Sequence, residues 1–206
     1  MQVGVLQSTK DQLNMNIPAA VATRIPPPLG YDRRTIALHW LTAVLVTALW
    51  CMGQTIDWFP KESRVFARSA HIAFGVVLAV VLCVRLWWRL GRGHRLPPVG
   101  PPFVRTLSTS VHYALYVLIT VTVLLGMFNT WVRGDNIFDL FRMPAFDPGN
   151  KPLRAQVGAL HALSANILLG LAAYHAAAGL AHYFIWKDEV LRRMWPPRSR
   201  PRDQAP

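Results

Sequence analysis

The chain reads as an all-α membrane protein, a bundle of four transmembrane helices. Three observations lead there. Of its 206 residues, 52% are hydrophobic and eight are Trp. Only 16% are charged, against about 25% in ordinary soluble domains. Those charges are clustered, and the stretches between them are long enough to cross a bilayer, which takes ~20 apolar residues.

Four such stretches are present. They run roughly from Thr35 to Ile56, Ala70 to Leu90, Ser108 to Trp131 and Ala155 to Trp186. Each is too long for a buried strand. The last is the longest and is expected to project beyond the membrane. Residues 1–30, with Pro26, Pro27 and Pro28, lack the apolar core of a cleavable signal peptide and are expected to be a poorly ordered tail. The basic residues 197–206 are expected to be a second one, which leaves 31–196 as a single helical domain.

Charge sets the expected orientation. The tails and the stretch Arg85–Arg105, around the loop after the second helix, hold 15 of the 22 Lys and Arg residues, and the other two connections hold seven. By the positive-inside rule both termini are cytoplasmic. The net charge of +12 is mostly this asymmetry. Nucleic acid is therefore not an expected partner, because the basic residues flank membrane spans. Cys51 and Cys83 fall at different depths, so they are expected to be small packing residues and not a disulfide.

The chemistry lies in the histidines: His39, His71, His94, His112, His161, His175 and His182. Only His94 lies clearly in a loop. Ionisable groups in membrane spans are costly and face the bundle interior. In "HALSANILLGLAAYH" (161–175), two histidines stand 14 residues apart. That spacing carries the helix ~21 Å and ends about 40° short of four full turns, so both rings look inward at two depths. With alternating helix directions, His71 is level with His161. His39 is level with His175, and so is His112; depth alone does not choose between them.

Paired imidazoles in apolar surroundings point to two b-type haems. Zinc would want about four ligands, and no C-x-x-C-H is present for covalent attachment. Gly53, Gly75 and Gly126 fall where helices would pass close to a porphyrin, although small residues also serve ordinary helix packing in membranes.

The stretches "ALHW" (37–40), "HIAFG" (71–75), "LHALSANILLG" (160–170) and "LAAYHAAAGLAHYFIWKDEVLRRMWP" (171–196) resemble the bacterial cytochrome b561 family. The resemblance implies a four-helix di-haem bundle in the bacterial inner membrane. By motif position it implies that His39 and His175 hold an inner haem, and His71 and His161 an outer one. It also implies oxidation of superoxide with transfer of the electron to ubiquinone. The alternative is a membrane-anchor subunit that relays electrons from a dehydrogenase or hydrogenase partner.

Other residues take expected roles around this frame. His182, seven residues beyond His175, and Lys187 are quinone-side candidates; His112 is a weaker one. Arg85 and Arg89 either neutralise haem propionates or snorkel to the surface. Arg64, Arg68, Lys151 and Arg154 flank the outer helix starts and are candidates for steering superoxide.

Overall fold

The computed structural model describes residues 30–93, 96–97 and 100–195. The tails expected over 1–30 (Gly30 aside) and 197–206, and His94, lie outside the described residues.

Four antiparallel helices make the bundle: α1 (Arg33–Thr55), α2 (Lys61–Gly91), α3 (Pro102–Arg133) and α4 (Lys151–Phe184). Each is long and apolar enough to cross a membrane. The sequence suggested that the last, as the longest, would project beyond the membrane. In fact α2 has 31 residues and α3 has 32, beside the 34 of α4. At ~1.5 Å per residue each exceeds the ~30 Å apolar core, because polar first and last turns continue the helices past their greasy middles.

The boundaries follow from local chemistry. Asp32 caps α1, its carboxylate accepting from the Thr35 N–H (2.9 Å) and hydroxyl (2.6 Å). Asn150 caps α4 by accepting from the Leu153 N–H (2.9 Å). Proline opens α3, where a missing N–H costs nothing. Gly134, at φ 63°, closes α3 in the left-handed conformation.

α3 packs most closely with α4, and α1 with α2, while α1 touches α4 more sparingly. At mid-height Leu45, Leu49, Leu78, Leu82, Ile119 and Leu168 form the buried core. Most other apolar side chains, such as Val44, Val80, Val117 and Leu124, face outward. That is the pattern of a bundle solvated by lipid, in which helices satisfy their backbone internally. Cys51 and Cys83 are free and exposed. They sit on the outer surface of the bundle, not in its packing as the sequence suggested.

The two ends differ. At the loop end, the α3–α4 connection forms a small antiparallel hairpin, β1 (Asn136–Ile137) with β2 (Phe141–Arg142). Its turn places Phe138 and Asp139 at positive φ. The fully buried Ser69 hydroxyl anchors it to α2, accepting from the Phe138 N–H (2.9 Å). At the terminal end, the segment after α4 folds back to the start of α1. The Tyr31 N–H reaches the Arg193 carbonyl (3.0 Å), and the Trp40 indole N–H reaches the Met194 carbonyl (3.0 Å).

Candidate haem sites and the polar ends

Two pairs of imidazoles meet between the helices. His71 on α2 faces His161 on α4, ring centroids 6.2 Å apart and planes at 88°. His39 on α1 faces His175 on α4 at 6.3 Å and 81°. A metal–imidazole bond is about 2.0–2.1 Å and a ring nitrogen lies roughly 1.1–1.2 Å from its ring centre, so two imidazoles on opposite sides of one metal atom hold their centroids roughly 6.2–6.6 Å apart. Both pairs have that spacing. His112 on α3 also meets His175, but at 5.0 Å, which is direct ring contact with no room for an atom between.

The donor set suits a macrocycle. Among the described residues no group of three or more His, Cys, Asp or Glu is placed to hold a metal ion. Each pair therefore offers two donors and leaves the other positions to a ligand that brings its own. The glycines add to the fit at the loop-end pair. A Cβ at Gly126 would lie 3.0 Å from the His161 Cε1, and one at Gly53 would lie 3.5 Å from the His71 Cε1. One at Gly75 would enter open space.

Surroundings orient the rings. His161 Nδ1 lies 3.1 Å from the Thr122 carbonyl. A carbonyl only accepts, so Nδ1–H donates and Nε2 is left as the ligating nitrogen. His71 Nδ1 is buried and has no hydrogen-bond partner among the described residues. His39 Nδ1 lies 3.1 Å from the Arg85 guanidinium, whose carbon also sits 5.3 Å from the Tyr116 ring centre. Arg85 is thus turned into the bundle and does not snorkel, while Arg89 is exposed.

Beyond the terminal-end pair, the structure brings His182 against Asp188, Nδ1 to Oδ2 2.5 Å, with the Trp186 ring centred 4.7 Å from the imidazole. Burial pushes the Asp188 carboxyl up. The hydrogen bond to His182, the Val190 N–H at 3.0 Å and the nearby Arg193 charge outweigh it and hold the carboxyl below its ordinary value. Lys187 is exposed, at φ 53° in the turn that brings Asp188 back toward His182.

At the loop end the four basic candidates separate by what they touch. Arg64 donates to the Asp57 and Phe59 carbonyls (both 3.2 Å), and Arg154 to the Pro148 carbonyl (2.8 Å). Arg68 pairs with the buried Asp135 at 3.7 Å, which Arg133 also approaches at 3.4 Å. Lys151 is exposed at the first turn of α4. A cavity of about 200 Å³ opens here among Val65, Arg68, Gly134, Asp135, Asn136 and Arg142.

The sequence reading missed two contacts. The Thr122 carbonyl is backbone, which carries no residue signature. The Trp50 indole N–H donates to the Asn166 side chain (2.8 Å) across the α1–α4 seam. That pair was legible only as two polar groups in greasy helices.

The chain matches the family model of prokaryotic cytochrome b561 over residues 30–197. It is 30% identical over 177 residues to cytochrome b561 homolog 1 of Escherichia coli K12, covering 82% of this chain and 98% of that one. It is 28% identical over 171 residues to a Yersinia pestis protein named "probable superoxide oxidase CybB" (81% and 96%), and 28% identical over 175 residues to cytochrome b562 of Cereibacter sphaeroides (82% and 97%). A four-helix bundle that matches this model over nearly all its described length is a membrane electron-transfer protein built for b-type haem, and the chain belongs to the prokaryotic cytochrome b561 family.

Proposed function

We propose that this protein holds two b-type haems and carries electrons across the bacterial inner membrane, from superoxide outside to ubiquinone inside. The observation that carries the reading is the pair of imidazole couples, 6.2 and 6.3 Å between centroids, at two depths along one helix. His71 and His161 would hold the outer haem, and His39 and His175 the inner one. Haem held by two imidazoles would supply one-electron transfer without a position left open for O₂. The excess of Lys and Arg at the terminal end makes that end cytoplasmic.

The balance is simple. Two superoxide ions each lose one electron and leave as O₂; one ubiquinone gains two electrons and two protons and leaves as ubiquinol. At the outer end Arg64, Arg68, Lys151 and Arg154 raise the local concentration of the anion. At the inner end Asp188 accepts from His182 Nδ1–H, which leaves Nε2 as the nitrogen a quinone oxygen meets and orients the ring for proton delivery. Lys187 lies beside it as a second donor. The name of the Yersinia pestis relative lends support to superoxide as donor.

The other relatives carry only cytochrome names, which fit equally a second reading, a relay subunit fed by a partner dehydrogenase. Stopped-flow mixing of the oxidised protein with superoxide separates the two. Haem reduction followed by reoxidation only when a ubiquinone analogue is present supports a free-standing superoxide:ubiquinone oxidoreductase. No reduction, in protein holding both haems, supports the relay.

A further inference from the structure

At the loop end three guanidiniums gather around one buried carboxylate. Arg133 approaches Asp135 Oδ1 at 3.4 Å, and Arg68 approaches the same oxygen at 3.7 Å. The second distance is a charge contact, too long for a hydrogen bond, so the Arg68 fork keeps its donors unspent. The Arg142 side chain, on β2, makes no hydrogen bond or ion pair with any described residue. Arg68 and Arg142 nevertheless line the same cavity of about 200 Å³. The Asp139 carboxylate, at the hairpin turn, is engaged by the Asn136 side chain. Three guanidiniums against two carboxylates leave the end of the hairpin positive. Two like charges lining one small cavity repel each other unless something negative sits between them.

We infer that Arg68 and Arg142 form a binding site for a phosphate-type oxyanion, which bridges α2 and the hairpin. A tetrahedral anion presents a pair of oxygens to each planar fork, so two guanidiniums from different elements hold it at once. The buried Asp135 carboxylate keeps Arg68 at the cavity wall. Arg142 comes from the strand position paired with Asn136. The volume suits a small ligand. It is below the ~300 Å³ of pockets for drug-sized molecules, and several times the ~30 Å³ of one water. Depth suggests a source. At ~1.5 Å per residue the 31 residues of α2 span about 46 Å, about 16 Å more than the apolar core. Arg68 stands seven residues from the helix start, at the boundary between acyl chains and headgroups, where phospholipid phosphates lie. Phe66 and Phe141 are exposed beside the cavity and suit the acyl side of that boundary. Free phosphate offers the same oxygens, and the test separates the two sources. The site does not depend on the haem reading.

The test is phosphorus NMR of the purified haem-loaded protein in detergent. Inorganic phosphate is titrated at constant ionic strength, and the bound fraction is read from its line width. Native protein should bind it, and Arg142→Gln should bind at least tenfold more weakly. Arg142→Lys keeps the charge but loses the fork, so it should stay well short of native affinity. Lys151→Gln removes an exposed cation at the same end that does not line the cavity, and should bind as the native protein does. The same spectrum, taken after extraction from phosphatidylglycerol membranes and washing, identifies the source. A phospholipid retained by native protein and lost from Arg142→Gln makes the ligand a lipid headgroup. Phosphate binding with no retained lipid makes it a free anion. Equal binding by native protein and Arg142→Gln, an equal loss in Lys151→Gln, or no binding by native protein would each overturn the inference.

Discussion

His39 and His175 face each other across the α1–α4 seam with ring centroids 6.3 Å apart, while His112 presses on the same His175 ring at 5.0 Å. The first spacing admits an atom bonded to both rings and the second does not. His39→Ala is therefore expected to remove one of two haems, and His112→Ala to leave both. Haem content by absorbance of the pyridine adduct checks this. Loss of a haem in His112→Ala, with His39→Ala unaffected, would mean that the wrong helix has been chosen.

Gly126 is a second point of leverage. A Cβ there would sit 3.0 Å from the His161 Cε1, so any side chain must push the ring. Gly126→Leu is expected to empty most of the outer site while the inner one stays filled. Gly126→Ala, which asks for a shift of only a few tenths of an ångström, should cost much less. Equal haem content in Gly126→Leu and the native protein would show that this approach has no bearing on the site.

Charge at the loop end is expected to act on rate. Arg64 and Arg154 also tie down connecting carbonyls and Arg68 pairs with the buried Asp135, so the cleaner change is Lys151→Glu. Superoxide-dependent haem reduction should slow by roughly tenfold at low salt, and its dependence on ionic strength should flatten. Unchanged kinetics would remove the steering role.

Asp188 gives a prediction in pH. Its carboxyl is held below its ordinary value by His182 and the Val190 N–H against the opposing effect of burial. A depressed folded value stabilises the fold above the unfolded value, about 3.9, and the contribution is lost as pH falls through the folded one. Relative to Asp188→Asn, the native protein is expected to be more stable by about 1 kcal/mol near neutral pH. That advantage should shrink below about pH 4. A thermal-unfolding difference that is the same at pH 3 and pH 6 would contradict it.

Much of this was legible in the sequence because a helix is a rigid ruler. The 14-residue interval from His161 to His175 fixes both a depth and a direction, and alternating helices put His71 and His39 at matching levels. What escaped depends on contacts that a ruler does not measure. The hairpin at 136–142 rests on strands of two residues and on Phe138 and Asp139 in the left-handed region, with no glycine to announce the turn. Arg85 looked ready to snorkel, because its place near a helix end permits that. Its inward turn depends on His39 and Tyr116, which come from two other helices.

The most direct test of the central claim is the haem count and spin state of the purified native protein. Two low-spin b-type haems per chain, falling to one in each of His39→Ala, His71→Ala and His161→Ala, are the expected result. A single haem per chain, or a high-spin haem with an open coordination position, would contradict it.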